Sequence, residues 1–101
     1  MNIAGFVPDL MDRSRVAATG VAVVWVKTPA DLVATPADLV IVDLSRPGVL
    51  DAVTRLTGPV VGFASHVDRE LLAAAKAAGC RQVLARSAFF SRLPEIVGGN
   101  A

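Results

Sequence analysis

The sequence predicts a three-layer, doubly wound α/β domain on a five-stranded parallel sheet, and three observations carry that expectation. Short β-branched runs alternate with segments of helical pattern along the whole chain, as repeated βα units require. The run Leu39-Val40-Ile41-Val42 is apolar without a break, which suits a central strand covered on both faces. With 101 residues, 53% hydrophobic and 19% charged, the chain has material for one core. Such a domain buries roughly 65% of its unfolded surface and is stable by on the order of 5–10 kcal/mol.

The elements follow in order. Asn2 to Val7 is an apolar first strand, and a helix is expected over Asp9 to Thr19. Val21 to Val26 (Val-Ala-Val-Val-Trp-Val) is a second strand by its β-branched content. A short helix over Pro29 to Ala34 has Thr28 as its cap and Pro29 at its first position. The segment Thr28-Pro29-Ala30-Asp31-Leu32-Val33 is echoed by Thr35-Pro36-Ala37-Asp38-Leu39-Val40, yet the second copy feeds the central strand, Leu39 to Val42. Two copies are too few for a solenoid. A helix over Pro47 to Thr57, a strand over Pro59 to Ala64, a helix over Asp68 to Ala78 and a strand over Gln82 to Ala85 complete the pattern.

The helix over Asp68 to Ala78 has the clearest signals. Asp68 and Glu70 lie in its first turn, Leu71, Leu72, Ala75 and Ala78 share a face, and Gly79 terminates it. A last helix is expected within Ala88 to Val97, where Pro94 must sit in the first turn or bend it. Residues 98–101 are expected to fray. Right-handed crossovers then favour the flavodoxin-like strand order 2-1-3-4-5.

Composition excludes several functions. A net charge of +1 without a Lys or Arg cluster lacks the electrostatic footprint for nucleic acid or an anionic membrane. The longest apolar stretch, Val16 to Val26, is interrupted by Thr19 and Gly20 and is too short to span a bilayer. A soluble, cytoplasmic protein is expected. One cysteine, Cys80, permits no internal disulfide and no multi-cysteine metal site. It reads as a small buried residue, and the solitary His66 as an exposed loop residue.

The most informative segment is Asp38-Leu39-Val40-Ile41-Val42-Asp43-Leu44-Ser45-Arg46-Pro47-Gly48. A buried strand ends on a carboxylate, and a Pro-Gly turn follows at once. Ligands and chemistry in open parallel sheets gather at strand ends, which makes Asp43 the leading candidate.

This segment resembles the third strand and following loop of receiver domains in two-component response regulators, where proline stands four positions after the phosphoacceptor aspartate, as Pro47 follows Asp43. Pro59 to Asp68 is similar to the fourth strand and its loop, and Ala77-Ala78-Gly79-Cys80 through Arg86 to the turn and fifth strand. The likeness covers most of the chain, with the second and third helices shortened. It implies Asp43 as the acceptor and magnesium held by Asp9, Asp43 and the Ser45 carbonyl. It also implies a reporting hydroxyl after the fourth strand and a lysine after the fifth. Here the pattern departs. The acid pair becomes Pro8-Asp9, which weakens the metal site. Ungapped spacing puts Ala64 in the hydroxyl slot, so Ser65 serves only if the strand end shifts by one residue. Arg86 fills the lysine slot, and its planar fork suits a carboxylate partner; pairing with Asp43 or Asp9 is expected, holding the site in one state.

The resemblance implies a stand-alone, receiver-like signalling module with an atypical phosphoacceptor site, acting through protein contact and not as an enzyme beyond weak turnover of phosphate on Asp43. A protein partner or a homodimer is expected through the fourth helix, fifth strand and fifth helix. Phe89 and Phe90, about 100° apart on a helix, cannot both lie fully against the sheet; either one ring is exposed there or both wrap around the core edge. Two other classes stay open: a small ligand-binding protein or enzyme using the strand-end crevice, and a non-catalytic assembly subunit. Against the former stand the missing Gly-rich loop after the first strand and the lack of a nucleophile-base pair involving the sole histidine.

Overall fold

The chain folds as β1 (Ile3–Phe6), α1 (Leu10–Ala17), β2 (Val23–Trp25), α2 (Pro29–Val33), β3 (Leu39–Asp43), α3 (Val49–Thr54), β4 (Val60–Ala64), α4 (Arg69–Ala78), β5 (Gln82–Ala85), α5 (Arg86–Ser91) and α6 (Leu93–Gly98). These elements come from a computed structural model that describes residues 1–98. Most of the tail expected to fray lies outside the described residues, while Gly98 closes α6. The sheet is parallel throughout, in the expected order β2-β1-β3-β4-β5. The register sets Phe6 beside Val42, Asp43 beside Phe63 and Ala64 beside Ala85. The carboxyl ends of four strands therefore share one rim.

Strand alternation divides the core in two. Ile3, Leu39, Ile41, Val61 and Phe63 face Val16 of α1 and Phe89, Leu93 and Val97 of α5 and α6. Ala4, Phe6, Val40, Val42, Val60 and Ala64 face Leu32, Val49, Val53 and Ala75 of α2, α3 and α4. The centre of the sheet is pressed close by Leu44, which folds back over β4. A Cβ added at Gly62 would stand 2.8 Å from three Leu44 side-chain atoms, so only glycine fits. At the edge, the half-buried Trp25 lays its ring over Gly5 of β1.

The short helices reflect their caps. Thr28 is extended ahead of Pro29 but makes no side-chain cap bond, and α2 lasts five residues. The expected start of α3 at Pro47 moves to Val49, because Gly48 adopts φ 84° and completes the turn first. In α4, Ala75 is buried, Leu71, Leu72 and Ala78 are half-buried, and Gly79 caps the end.

One expectation is corrected, and of two alternatives left open the structure takes one. The final helix is two helices, broken at Arg92 (φ −100°, ψ 7°). Pro94 has no N–H to donate and its ring would strike the Phe90 carbonyl, so the chain restarts with Pro94 in the first turn of α6. Phe89 and Phe90 are both buried, at 0% and 9% exposure. Phe63 stacks on Phe89 at 4.5 Å and meets Phe90 edge-on at 5.5 Å. The Arg15 guanidinium, 3.9 Å from the Phe90 centroid, closes the outer side. Both rings therefore wrap the core edge, and a cation on the ring face covers the side that would otherwise meet solvent.

Candidate functional site

Asp43 ends β3 with 3% of its surface exposed, on the sheet face shared with Phe63 and α1. Its two oxygens are engaged locally. Oδ1 accepts from the Ser45 N–H at 3.0 Å and the Ser45 hydroxyl at 2.7 Å, and Oδ2 faces Arg46 Nε at 3.4 Å. The turn that follows the strand makes this possible: the Arg46 N–H reaches back to the Asp43 carbonyl at 3.4 Å, so the two donors curl over the strand end before Pro47 is reached. Donors supplied by the following residues thus replace the water that a rim carboxylate would otherwise hold.

Asp9 stands at the end of the neighbouring strand as the N-cap of α1. Its Oδ1 accepts from the Met11 and Asp12 backbone N–H groups at 2.8 and 3.0 Å. The Asp12 bond above all holds its carboxyl below the ordinary aspartate range. Burial works against it, and Met11, Arg86 and Arg46 assist.

Arg86, the first residue after β5, points its guanidinium across the rim to α1. It donates to both oxygens of Asp12, at 2.7 and 3.1 Å, not to Asp9 or Asp43 as the sequence led us to expect. The reason is geometric. Asp12 lies one turn before Val16 on the buried face of α1 and is itself 4% exposed, so it presents both oxygens inward, whereas Asp9 gives one oxygen to adjacent backbone and Asp43 gives one to Ser45 and the other to Arg46. The Asp12 bond raises the Arg86 guanidinium above the ordinary arginine range despite burial, with Asp12, Asp43 and Asp9 charges adding to it. Phe63 and Phe90 lie under this guanidinium at 5.3 and 5.5 Å.

The rim therefore gathers Asp9, Asp43, Ser45 and Arg86 from the sequence reading and adds Arg46 and Asp12. Asp12 was legible in principle: three residues after the cap and four before an apolar residue, it falls on the inward helical face. Ser65 lies just beyond β4 and accepts weakly from the Val67 N–H at 3.4 Å, a turn-capping role. Ala64 is buried in the core of the opposite face. Among the described residues no hydrogen bond joins Ser65 to Asp43. Cys80 is buried, which pushes its thiol up, and His66 is exposed. A surface depression of about 310 Å³, lined by Met1, Asp38, Arg81 and Glu95, opens at the other end of the sheet, away from the strand ends where parallel sheets place chemistry.

No protein-family model and no curated protein matches the chain. Solved structures do. A response regulator from Hahella chejuensis superposes with a TM-score of 0.79 over 96% of this chain and 92% of its own, at 17% identity. One from Thermotoga maritima gives a TM-score of 0.71 over 96% and 97%, at 18% identity. The fold is that of response regulators.

Asp43 thus lies at the strand end that the sequence likeness assigns to a phosphoacceptor, and the fit of the implied magnesium can be tested on the donors present. Magnesium demands near-octahedral oxygen ligation. Asp12 gives both oxygens to Arg86, Asp43 gives both to Ser45 and Arg46, and Asp9 gives one to backbone. Among the described residues no three acidic, His or Cys side chains are arranged to hold a metal ion. As they stand, these residues do not fit the ion.

Proposed function

We propose that this chain is a receiver-like signalling module that works by protein contact, with an atypical site in which Asp43 is held out of phosphoryl chemistry. The observation that carries this reading is the state of the Asp43 carboxylate. Attack on a phosphoryl donor needs a free oxygen and a cation that offsets the incoming charge. Both Asp43 oxygens already have donors from Ser45 and Arg46, and the Arg86 fork is committed to Asp12. The response-regulator fold supports a signalling role.

For a module of this kind, the signal leaves through the face of α4, β5 and α5. β5 is an outer strand with all four residues half-buried, and α4 exposes Ala73, Ala74 and Ala77. A protein partner or a second copy would meet these residues, with Phe89 and Phe90 beneath as support. The experiment is a titration of the isotopically labelled protein with magnesium and beryllofluoride, which mimics a phosphoryl group on aspartate. The amides of Asp9, Asp43 and Ser65 should stay in place at millimolar reagent. Saturable shifts that vanish in Asp43→Asn would make this an ordinary phosphoacceptor instead.

A further inference from the structure

We infer that the Arg86 guanidinium, assisted by Arg46, is the resident countercation of the strand-end carboxylates, and that it excludes divalent cations from them. The inference rests on the reading of Asp43 as an atypical site and names the group responsible. Three carboxylates, Asp9, Asp12 and Asp43, meet two guanidiniums, each carrying a single positive charge. Together these supply the charge of one divalent ion.

The guanidinium is built in, not incidental. Asp12 and Arg86 are 74 residues apart and form a two-bond fork at 2.7 and 3.1 Å, with the Asp12 side chain only 6% exposed. Planar pairing of this kind is the strong, orientation-specific form of a charged hydrogen bond. Phe63 and Phe90 hold the group from below, so it arrives at the rim already ordered. A divalent ion entering here would have to remove donors from at least two carboxylates and approach the Arg86 charge, which the fork holds in place, as well as the more exposed Arg46. Neither is offset while Arg86 remains in place.

The test uses manganese, whose paramagnetism broadens nearby amide signals. In the wild-type protein, millimolar Mn2+ should leave the amides of Asp9, Asp12 and Asp43 sharp. Arg86→Gln, which keeps the aliphatic stem but removes the guanidinium and its charge, should broaden them saturably, with affinity at least about tenfold higher than wild type, and Asp12→Asn added to it should abolish the gain. Site-specific broadening in wild type, or none in a folded Arg86→Gln, overturns the inference. Should that variant not fold, the wild-type Arg86 side chain gives the answer. Its Nη protons should show slow rotation that magnesium does not alter, and release on adding magnesium refutes exclusion. Beryllofluoride uptake at Asp43 without Mn2+ binding would defeat the proposed function alone, whereas Mn2+ binding without beryllofluoride uptake would defeat this inference alone.

Discussion

Replacing Arg86 with alanine removes both hydrogen bonds to Asp12, whose side chain is 6% exposed, and leaves that carboxylate without its partner. Breaking a fully buried pair costs about 3–5 kcal/mol. That figure is too large here, because the Arg86 side chain is itself 42% exposed and water enters once it is gone; screening reduces the loss to about 1.5–2.5 kcal/mol. Lost contact between the guanidinium and the Phe63 and Phe90 rings adds about 0.5 kcal/mol. The total, about 2–3 kcal/mol, lowers the melting temperature of a domain this size by roughly 10–20 °C. Urea unfolding followed by the fluorescence of the single tryptophan, Trp25, measures it directly. A double-mutant cycle with Asp12→Asn should return a coupling of about 1 kcal/mol or more. A loss under about 0.5 kcal/mol, the range of an exposed pair, would refute the idea that Asp12 depends on this guanidinium.

Ser45→Ala removes the 2.7 Å hydroxyl bond to Asp43 and keeps the backbone one; it should cost about 1–2 kcal/mol by urea unfolding, whereas Arg46→Ala, losing only a long contact, should cost about 0.5 kcal/mol or less. Gly62→Ala sets a methyl 2.8 Å from Leu44, itself 2% exposed, and should destabilise by about 1–3 kcal/mol, with Leu44→Ala in the same chain recovering part of the strain. Asp9 has a lowered folded-state pKa, so its contribution is complete above the unfolded value of about 3.9 and disappears as pH falls through the folded one. Asp9→Asn retains a capping side chain, and its stability measured between neutral pH and pH 3 should lack that component of the acid decline.

The fold was legible because each strand announced itself locally and the crossover rule left few arrangements. Leu39 to Val42 is apolar on both faces, and Gly79 and Asp9 mark helix ends. What sequence could not show was competition between donors at the rim. Asp43 precedes a serine and an arginine, and nothing in one-dimensional order tells that Ser45 turns back to serve it while Arg86 crosses to α1. Asp12 escaped attention because its partner is 74 residues away. The placement of Phe89 and Phe90 stayed open for a related reason. Helical periodicity separates neighbours by angle, but it does not see Phe63 arriving from another strand or Arg15 covering the outside. The split of the last helix needed only Pro94, yet its location followed from where α5 began, directly at the end of β5.

Because the same guanidinium grips a carboxylate on α1 and rests on aromatic rings rooted in the interior, the rim and the hydrophobic centre form one mechanical unit. Any event that pulls Arg86 outward must also reseat Phe63 and Phe90 and loosen the grip on α1. A push delivered at the junction of β5 and α5 would then be felt on α1, across the rim on the same face of the sheet.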